Sequence, residues 1–598
     1  MKKYLLALFT FCVLNQTYSQ RISNSPYPLS LTPDTLFVVD IGSFSLARQL
    51  SVVTLQGLLA KTKPQILVER GDPVLLRDLK VNYGVVFDST FRNDFIGLLS
   101  HFKNRFSGYV LYLNNDSSTN AAISLCSPLN AIAVDTANKP VADSLGIQQL
   151  YSVIGKGQSW AFDSFQNNYS RDILIYQHQS KCTYLSDYSV FTGAYHFWDI
   201  IPQTVLANQA LAKIRINGAM LGWGDEHFTC YAASIHGLHL HAADWASNLS
   251  VYTNFNVATE QKSHPVDTLL KPGVHTVCFV MTDGDNIQWL LGDFASNHQW
   301  YGSPHRGLFN LGWTVSPALA ELAPTVLKYL YDSAATGTTG NDYFIAGPSG
   351  MGYTYSDVFQ PLDSGTAITA RMMKKAGLSI VNVIGNAYQA GYMNEYLKQP
   401  NIDAVFFYPY QNYEDMHGFS ACLNGKPVIT PRYSLADGNY TVDKLVNTID
   451  TMPKNPYLPD GYSLVAVNVW SNNVDSVLAC IQRFDSTIRV VTPDVFVKLF
   501  KAGTNCNALP SGIGEIKSNA SSFHVSPNPS SGSINISISE NLIGSTLTVT
   551  DITGKRIEAV QLQTLNSKLE TTNFSRGIYF LSVAKEGIVL SQKLVVNR

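Results

Sequence analysis

Short apolar runs alternate with segments of helical period from Leu36 to about Phe255. Runs such as LFVVD, QILVE, YGVVFD and AIAVD end in an acidic residue, and helical patterns separate them. β-rich runs separated by helices predict an α/β architecture with a largely parallel sheet. In such a sheet, the polar residue at the carboxyl end of a strand faces the binding crevice.

The same alternation of apolar runs and helical patterns continues over residues 275–500. The run HTVCFVM, residues 275–281, is almost continuously apolar, which is typical of a strand buried on both faces. Roughly eight strand–helix units in about 230 residues match the size of a (β/α)8 barrel. We therefore predict an N-terminal α/β region over 20–262, in two or three subdomains, packed on a TIM-barrel-like (β/α) domain over 263–503.

The two ends of the chain differ from this body. Residues 1–19 begin with Met-Lys-Lys and continue with an apolar segment, the pattern of a secretory signal peptide. Residues 504–522 are rich in Asn, Ser and Gly without an apolar period, which predicts a linker. Alternating strands and turns predict a small C-terminal β-sandwich over 523–598. After the signal, no apolar segment is long enough to predict a transmembrane span.

Composition narrows the class of partner. Apolar residues make up 45% and charged residues 14%, and the formal net charge is -2, which argues against disorder and against nucleic acid as a partner. The eight cysteines are widely spaced without a CxxC pair, so we expect buried thiols with one or two disulfides and no zinc ribbon. We predict neither a cofactor nor a metal. The 31 Tyr and 29 Phe suit an extracellular protein that meets sugars.

The predicted strand ends collect candidate site residues on one rim, because the βα loops of a barrel open on the same side. A loop of the N-terminal region adds an aromatic ring and two carboxylates. Aromatic rings stack on pyranose faces while carboxylates and amides bind hydroxyls, so the rim predicts a carbohydrate site. The rings favour a neutral glycan, whereas Arg432 would also suit a uronate or sulfate. The candidates are Asp283, Asp285, Asn286, Trp313, Tyr353, Tyr355, Asp357, Asn386, Tyr408, Tyr410, Glu414, Asp415, Arg432, Asn468 and Trp470 from the barrel, and Trp223, Asp225 and Glu226 from the loop.

The stretch GPSGMGYTYSD, residues 347–357, follows one of these strands. Its glycines permit positive φ angles and a close approach of the backbone to a ligand, and only one of its two tyrosines is expected to face the barrel mouth. Residues 350–356 closely resemble the motif that names the GxGYxYP family, with Ser356 where the family name has Pro. MTDGDNIQW, GWTVSP, GWGDE and DWASNLS also look like segments of that family.

The resemblance covers about residues 30 to 500. It implies a multi-part N-terminal α/β region, a TIM-barrel-like domain and a glycoside hydrolase activity. It also implies a source in Bacteroidetes. The last 75 or so residues resemble the C-terminal sorting domain of the type IX secretion system, through residues 527–529 (PNP), 577–579 (GIY) and 593–596 (KLVV). This second resemblance implies the secretion machinery as a partner and export with release or surface attachment.

A glycosidase needs two carboxyl groups that flank the scissile bond. Asp283 or Asp285, each crowded by a like charge, is our candidate general acid, and Glu414 or Asp415 is the candidate base or nucleophile. If the N-terminal loop folds over the barrel, its residue Asp225 or Glu226 would be the base or nucleophile in place of Glu414 or Asp415.

Two rival functions stay open at this stage. A metal-dependent deacetylase or other hydrolase would use Asp283 and Asp285 with a histidine such as His298, His305 or His417. A non-catalytic surface protein would use the same aromatic rim to bind a glycan without cleaving it. Buried acids at cleavage distance favour catalysis over binding.

Overall fold

The computed structural model describes residues 21–199, 204–410, 412–506, 523–551, 556–585 and 588–597. The predicted signal peptide and most of the predicted linker lie outside these ranges. The chain divides into two compact units, Met1–Leu509 and Pro510–Arg598. The division into domains with the bounds given above remains a prediction.

The first half of the larger unit is built from short parallel strands, each followed by a helix. Its strands are β1 (Thr35–Val39), β2 (Ile66–Val68), β3 (Val86–Asp88), β4 (Gly108–Tyr112), β5 (Ala131–Asp135), β6 (Gln149–Ser152), β7 (Ile173–Tyr176), β8 (Tyr195–Phe197), β9 (Ala219–Gly222) and β10 (His239–His241). Its helices are α1 (Leu46–Ala60), α2 (Pro73–Asn82), α3 (Phe95–Phe102), α4 (Ser118–Leu129), α5 (Lys139–Ser144), α6 (Gln158–Phe165), α7 (Ser186–Thr192), α8 (Val205–Ala212), α9 (Glu226–Ile235) and α10 (Leu249–Tyr252). The strands form three parallel sheets with the orders β2-β1-β3, β5-β4-β6 and β10-β9-β7-β8.

The second half of this unit contains one large sheet. Its strands are β11 (His275–Met281), β12 (Leu311–Val315), β13 (Asp342–Ala346), β14 (Ile380–Gly385), β15 (Ala404–Pro409), β16 (Ser420–Leu423), β17 (Lys426–Ile429), β18 (Tyr433–Leu435), β19 (Tyr462–Val467) and β20 (Ile488–Val490). Its helices are α11 (Ile287–Gly292), α12 (Leu319–Leu322), α13 (Pro324–Asp332), α14 (Leu362–Lys375), α15 (Ala390–Leu397), α16 (Val442–Ile449), α17 (Val474–Ile481) and α18 (Pro493–Gly503). Every residue of β11 is buried, as its unbroken apolar run predicts.

The predicted eight-unit TIM barrel is not confirmed. The ten strands pair in the order β16-β17-β15-β14-β13-β12-β11-β19-β18, with β20 added on β11, and β16 is antiparallel to β17. β17 and β18 are separated only by residues 430–432, yet β17 pairs with β15 and β18 with β19. The sheet is thus a curled half-barrel of mostly parallel strands. It is not closed into a barrel, because the β16–β17 hairpin occupies the edge at which a further parallel strand would pair.

The N-terminal segment of the described chain is tied to the curled sheet through a buried carboxylate. Glu321 is fully buried, and its oxygens lie 2.9 Å from Lys375 Nζ and 3.4 Å from Arg21. The same carboxylate accepts hydrogen bonds from the Ile22 backbone, at 2.8 Å, and from the Ser25 hydroxyl. These partners compensate the desolvation of the Glu321 charge.

One disulfide joins Cys422 on β16 to Cys506, with the Cα atoms 5.6 Å apart and the two cysteines 84 positions apart in sequence. The other cysteines of the described ranges are free and buried, in keeping with the wide spacing in the sequence. They are Cys126, Cys182, Cys230, Cys278 and Cys480.

The smaller unit consists of two antiparallel sheets, with the orders β21-β22-β25 and β24-β23-β26-β27. Alternate apolar residues of both sheets, such as Ile534, Ile536, Leu547 and Leu581, form a shared core. The strands are β21 (Phe523–Ser526), β22 (Ser533–Ile538), β23 (Ser545–Asp551), β24 (Arg556–Leu562), β25 (Asn566–Glu570), β26 (Gly577–Lys585) and β27 (Ile588–Val596).

Candidate functional site

A recess opens at the carboxyl ends of the central strands of the curled sheet. The loop after β11 contributes acidic and amide side chains, and β14 and β15 form much of the floor. The third sheet of the N-terminal half contributes the opposite wall. The lining residues are Trp223, Glu226, Ala242, Thr282, Asp283, Asp285, Asn286, Pro348, Tyr353, Asn382, Ile384, Tyr408 and Tyr413.

Three carboxyl groups meet in this recess, and the number of side-chain hydrogen bonds that each accepts differs. Asp283 accepts one from Trp470 Nε1 at 2.9 Å and another from the Thr282 hydroxyl. Glu226 accepts one from the Tyr353 hydroxyl at 2.8 Å. No side chain in the described ranges donates to Asp285.

Desolvation raises the pKa of all three groups. Burial raises the pKa of Asp283, and the hydrogen bonds from Thr282 and Trp470 oppose that rise. Desolvation in the recess also raises the pKa of Glu226, with the Tyr353 hydrogen bond acting against it. Burial raises the pKa of Asp285 well above its usual range, and the negative charges of Asp283 and Glu226 raise it further. Asp285 is thus the carboxyl group most disposed to keep its proton.

Helix α9 brings Glu226 to the recess. Asp225 is the N-cap of this helix and accepts a hydrogen bond from the Phe228 backbone at 3.1 Å, so Glu226 becomes the first helical residue. The neighbouring Trp223 ring stacks on Tyr353, with centroids 6.1 Å apart and planes at 17°. The loop thus folds over the sheet, which is the arrangement in which Glu226, rather than Glu414 or Asp415, meets Asp283 and Asp285.

The glycines of the GMGYTYS stretch serve interdomain packing. Gly350 and Gly352 have no positive φ, contrary to the sequence expectation. A Cβ on Gly352 would lie 2.5 Å from the Leu240 carbonyl oxygen and 2.6 Å from His241, and one on Gly350 would lie 3.2 Å from His239. Backbone bonds of 2.7 and 3.1 Å pair Tyr353 with Leu240 at the same place. The close approach predicted for this backbone is therefore made to β10.

The two tyrosines of the stretch occupy different layers, as expected from their alternation. Tyr353 lines the recess, whereas Tyr355 is fully buried behind it. The Tyr355 ring packs against Tyr353, Tyr410 and His227, with centroids 5.7, 5.3 and 5.6 Å away. Tyr355 supports the wall of the recess without lining it.

The second carboxylate pair proposed from the sequence lies outside the recess. Glu414 accepts a hydrogen bond from the Ser434 backbone at 2.8 Å and so fixes the start of β18. Asp415 is exposed and accepts a hydrogen bond from Asn412 at 2.7 Å. Both follow β15 in the chain, but the loop turns them away from Asp283 and Asp285.

Four further candidates also lie apart from the recess. Trp313 is buried in the core and donates to Asp342 at 2.8 Å. Arg432 donates to three backbone carbonyl oxygens, at 3.2, 3.2 and 3.4 Å. Asp357, half-buried, accepts a hydrogen bond from exposed Asn386 at 3.0 Å.

A second, more open cleft adjoins the recess and shares Glu226 and Tyr413 with it. The predicted residues Tyr410 and Asn468 line this cleft. Tyr413 was not predicted as a site residue. Its place in the loop after β15, next to Glu414, was the signal in the sequence that could have identified it.

The remaining candidates support the carboxyl groups. Asn286 lines the recess and caps α11 by accepting from the Trp289 backbone at 3.1 Å. Trp470 is 55% exposed and reaches Asp283 through its indole nitrogen. Tyr408 is buried on the floor, and its hydroxyl has no hydrogen-bond partner in the described residues, which leaves it available to a ligand. Asn382 and Thr282 complete the polar floor and were not selected from the sequence.

The histidines of the rival metal mechanism are not brought to the acids. His298 is exposed, His305 contacts Asp475 at 2.7 Å, and His417 lies in an exposed turn. In the part of the chain that the structure describes, no three His, Cys, Asp or Glu side chains are grouped as metal ligands are.

Comparison with protein families gives five matches. A model described as "GxGYxYP putative glycoside hydrolase C-terminal domain" matches residues 273–501. Models of the first, second and third N-terminal domains of the same family match residues 35–104, 106–169 and 171–254. A "Secretion system C-terminal sorting domain" matches residues 524–597.

Among solved structures, the chain is similar to "a putative hydrolase from Bacteroides thetaiotaomicron VPI-5482". The two are 27% identical with a TM-score of 0.73, over 80% of this chain and 96% of that chain. A Cellulomonas fimi endo-beta-1,4-mannanase double mutant is 9% identical over 57% of this chain and 100% of its own, and its TM-score of 0.19 carries no argument. No curated protein matches.

Within the described ranges, no helix has both the length and the apolarity to cross a membrane. The sorting domain places the protein outside the cell or on its surface through type IX secretion. The other four family matches follow one another along residues 35–254 and 273–501, so the chain belongs to the GxGYxYP family.

Proposed function

We propose that the protein is a secreted glycoside hydrolase in which Asp285 is the general acid and Glu226 the base or nucleophile. The observation that carries this proposal is the meeting of Asp285, Asp283 and Glu226 in one aromatic-walled recess with unequal hydrogen bonding. The recess opens at the carboxyl ends of parallel strands, as the sites of (β/α) barrels do, and we further propose that the curled sheet is a TIM-barrel relative.

Asp285 suits the acid role because it must hold a proton at the start of the reaction. Its pKa is raised by burial and then by the charges of Asp283 and Glu226. A proton delivered to the glycosidic oxygen lets the leaving group depart as an alcohol. Asp283, fixed by Trp470 and Thr282, acts as the negative charge that keeps Asp285 protonated.

Glu226 suits the second role because it approaches from the other side of the recess on α9. The Tyr353 hydroxyl donates to Glu226 and favours its ionised form. An ionised carboxylate in this position either activates a water molecule or attacks the anomeric carbon. The rings of Trp223, Tyr408 and Tyr413 supply apolar faces for a pyranose.

The rival functions receive less support from the geometry. A glycan-binding protein gains nothing from three desolvated carboxyl groups, which cost free energy unless they are used. The metal-dependent deacetylase lacks a histidine beside Asp283 and Asp285. The family description and the hydrolase neighbour also favour hydrolysis.

The experiment that tests the proposal is a hydrolysis screen with the secreted protein on polysaccharides and 4-nitrophenyl glycosides. We expect new reducing ends or nitrophenol from the wild type, none above background from Glu226→Gln, and no effect of EDTA. Glycan binding without any product from the wild type would leave the glycan-capture function instead.

Tyr353→Phe is expected to move the acid limb of the kcat/KM profile to higher pH by about half to one pH unit, the equivalent of about 1 kcal/mol. The hydrogen bond from Tyr353 lowers the pKa of Glu226, so its loss raises that pKa and Glu226 becomes protonated sooner as the pH falls. A pH series on the best aryl glycoside measures the shift. The exposed Tyr457→Phe is the control, and an unmoved acid limb in Tyr353→Phe would exclude Glu226 as the ionised group.

Asp283→Asn is expected to move the alkaline limb to lower pH by about one unit. Removing the charge of Asp283 removes a cause of the raised pKa of Asp285, which then loses its proton at lower pH. A pH series on an oligosaccharide, whose sugar leaving group needs the proton of Asp285, measures this limb. Asp357→Asn, which changes a half-buried carboxylate outside the recess, is the control and should leave the alkaline limb in place.

A further inference from the structure

We propose that the open cleft beside the recess binds a sugar unit of an uncharged glycan. The inference rests on the proposed function, which places the scissile bond in the recess next to this cleft. The cleft follows directly from the recess because Glu226 and Tyr413 line both. A chain of sugars that enters the recess therefore continues into the cleft.

The cleft is lined by amides, hydroxyls and aromatic rings. Its walls include Tyr410, Asn412, Ser434, Asn439 and Asn468. Such amides offer both a donor and an acceptor, which matches the paired donor and acceptor character of sugar hydroxyls. Tyr410 and Tyr413 add ring faces next to these polar groups.

A hydrogen-bond chain orients part of this wall and leaves other groups open. Asn439 donates to Asn412 Oδ1 at 2.7 Å, and Asn412 donates to Asp415 at 2.7 Å. Asn468 Oδ1 accepts from the Trp470 backbone at 3.0 Å. In the described part of the chain, the Nδ2 of Asn468 and the Oδ1 of Asn439 have no protein partner. A donor and an acceptor thus remain for a ligand on an otherwise fixed wall.

The charges around the cleft exclude an acidic sugar. No Arg, Lys or His is among the residues that line it, whereas the carboxylates of Glu226 and Asp437 are. Arg432, the candidate for a uronate or sulfate, is committed to the carbonyl oxygens of His417, Pro459 and Tyr462. A bound uronate would lose hydration without gaining a cation and would meet two like charges.

Lys444 is the basic residue that contacts this wall, and it does not offer a free charge. Its Nζ donates to the Asn439 backbone carbonyl at 3.1 Å and lies 4.0 Å from the centroid of the Tyr440 ring. Both contacts engage the ammonium with the protein. An uncharged hexose or pentose unit is therefore the chemistry that the cleft matches.

Affinity gel electrophoresis of the full chain tests the inference without depending on hydrolysis. We expect retardation by one or more neutral polysaccharides among xylan, mannan and β-glucan, and none by polygalacturonate, alginate or heparin. The gels contain about 0.15 M salt, so that general repulsion from the net charge of -2 is screened. Equal retardation by an acidic polysaccharide, or retardation by none, would overturn the proposal.

Variants locate the binding in the cleft. The double variant Asn439→Ala with Asn468→Ala is expected to bind the retarding polysaccharide about tenfold more weakly, as the loss of two modest hydrogen bonds predicts. The exposed helical Asn208→Ala is the matched control and should bind as the wild type does. Unchanged binding by the double variant, with its thermal unfolding also unchanged, would place the sugar elsewhere.

The same experiment separates this inference from the proposed function. Retardation by neutral polysaccharides together with a negative hydrolysis screen would contradict the proposed hydrolase function and support glycan binding in the cleft. Hydrolysis of an acidic polysaccharide, at a rate equal to that of a neutral one, would support the enzyme and contradict the proposed selectivity of the cleft.

Discussion

Asp285→Asn is expected to lower kcat/KM about 10²- to 10⁴-fold on glycosides whose leaving group is a sugar. A sugar alkoxide is a poor leaving group and needs the proton that Asp285 carries, whereas 4-nitrophenolate departs without one. Aryl glycosides should therefore retain far more of the wild-type rate in this variant. The measurement compares kcat/KM on an oligosaccharide and on the 4-nitrophenyl glycoside of the same sugar.

Glu226→Gln is the variant against which the difference between the oligosaccharide and the aryl glycoside is judged. A base or nucleophile is required for both substrates, so this variant should lose both activities together. The exposed Asp415→Asn is the matched control, since its carboxylate lies outside the recess. Equal losses on both substrates in Asp285→Asn would contradict the acid role, and a normal rate on oligosaccharides would exclude Asp285 from the chemistry.

Glu321→Gln is expected to lower the free energy of unfolding of the larger unit by about 3 to 5 kcal/mol, the usual cost of breaking a buried ion pair. The Glu321 carboxylate is fully buried between Arg21 and Lys375, and it also accepts from the Ile22 backbone and the Ser25 hydroxyl. A neutral amide leaves both cations without their counter-charge and points donors at donors. The N-terminal segment should detach as part of this loss.

Urea unfolding followed by tryptophan fluorescence measures the effect. All eight tryptophans precede residue 509, so this signal reports on the larger unit alone. Glu395→Gln is the control, because Glu395 pairs with exposed Lys398 on the surface and such pairs contribute about 1 kcal/mol or less. A loss for Glu321→Gln no greater than the control's would show that the buried network stabilises nothing.

Local patterns in the sequence predict the elements well. Helix α1 occupies Leu46–Ala60 as its apolar period indicates, and the unbroken run of β11 is buried throughout. The acids after β11 were also correctly expected at a strand end, because the carboxyl ends of parallel strands share one edge. The segment after β12 forms two helices, α12 and α13, since Pro324 starts a new one.

The composition of the site depends on contacts between distant segments, which local patterns do not contain. Glu226 and Asp285 belong to different sheets of the larger unit. They meet in the recess only because α9 packs over the half-barrel. Glu414 follows a strand as Asp283 does, yet it binds the backbone of β18. Trp313 sits in the middle of β12, where alternate side chains face the outer helices, and so it packs against Phe294 and Tyr301.

The Cys422–Cys506 disulfide determines which part of the larger unit carries a force applied to the C-terminal tail. Cys506 is the last described residue before the stretch that leads to the sorting domain, and its sulfur is bonded to Cys422 on β16. Tension applied to the tail at the cell surface reaches this covalent link before it can peel α18 or β19 from the sheet. The two cysteines are 84 positions apart in sequence, and the chain between them forms a closed loop that cannot be drawn out while the bond is intact. Pulling on the tail would therefore load the β16–β17 hairpin before it loads α18.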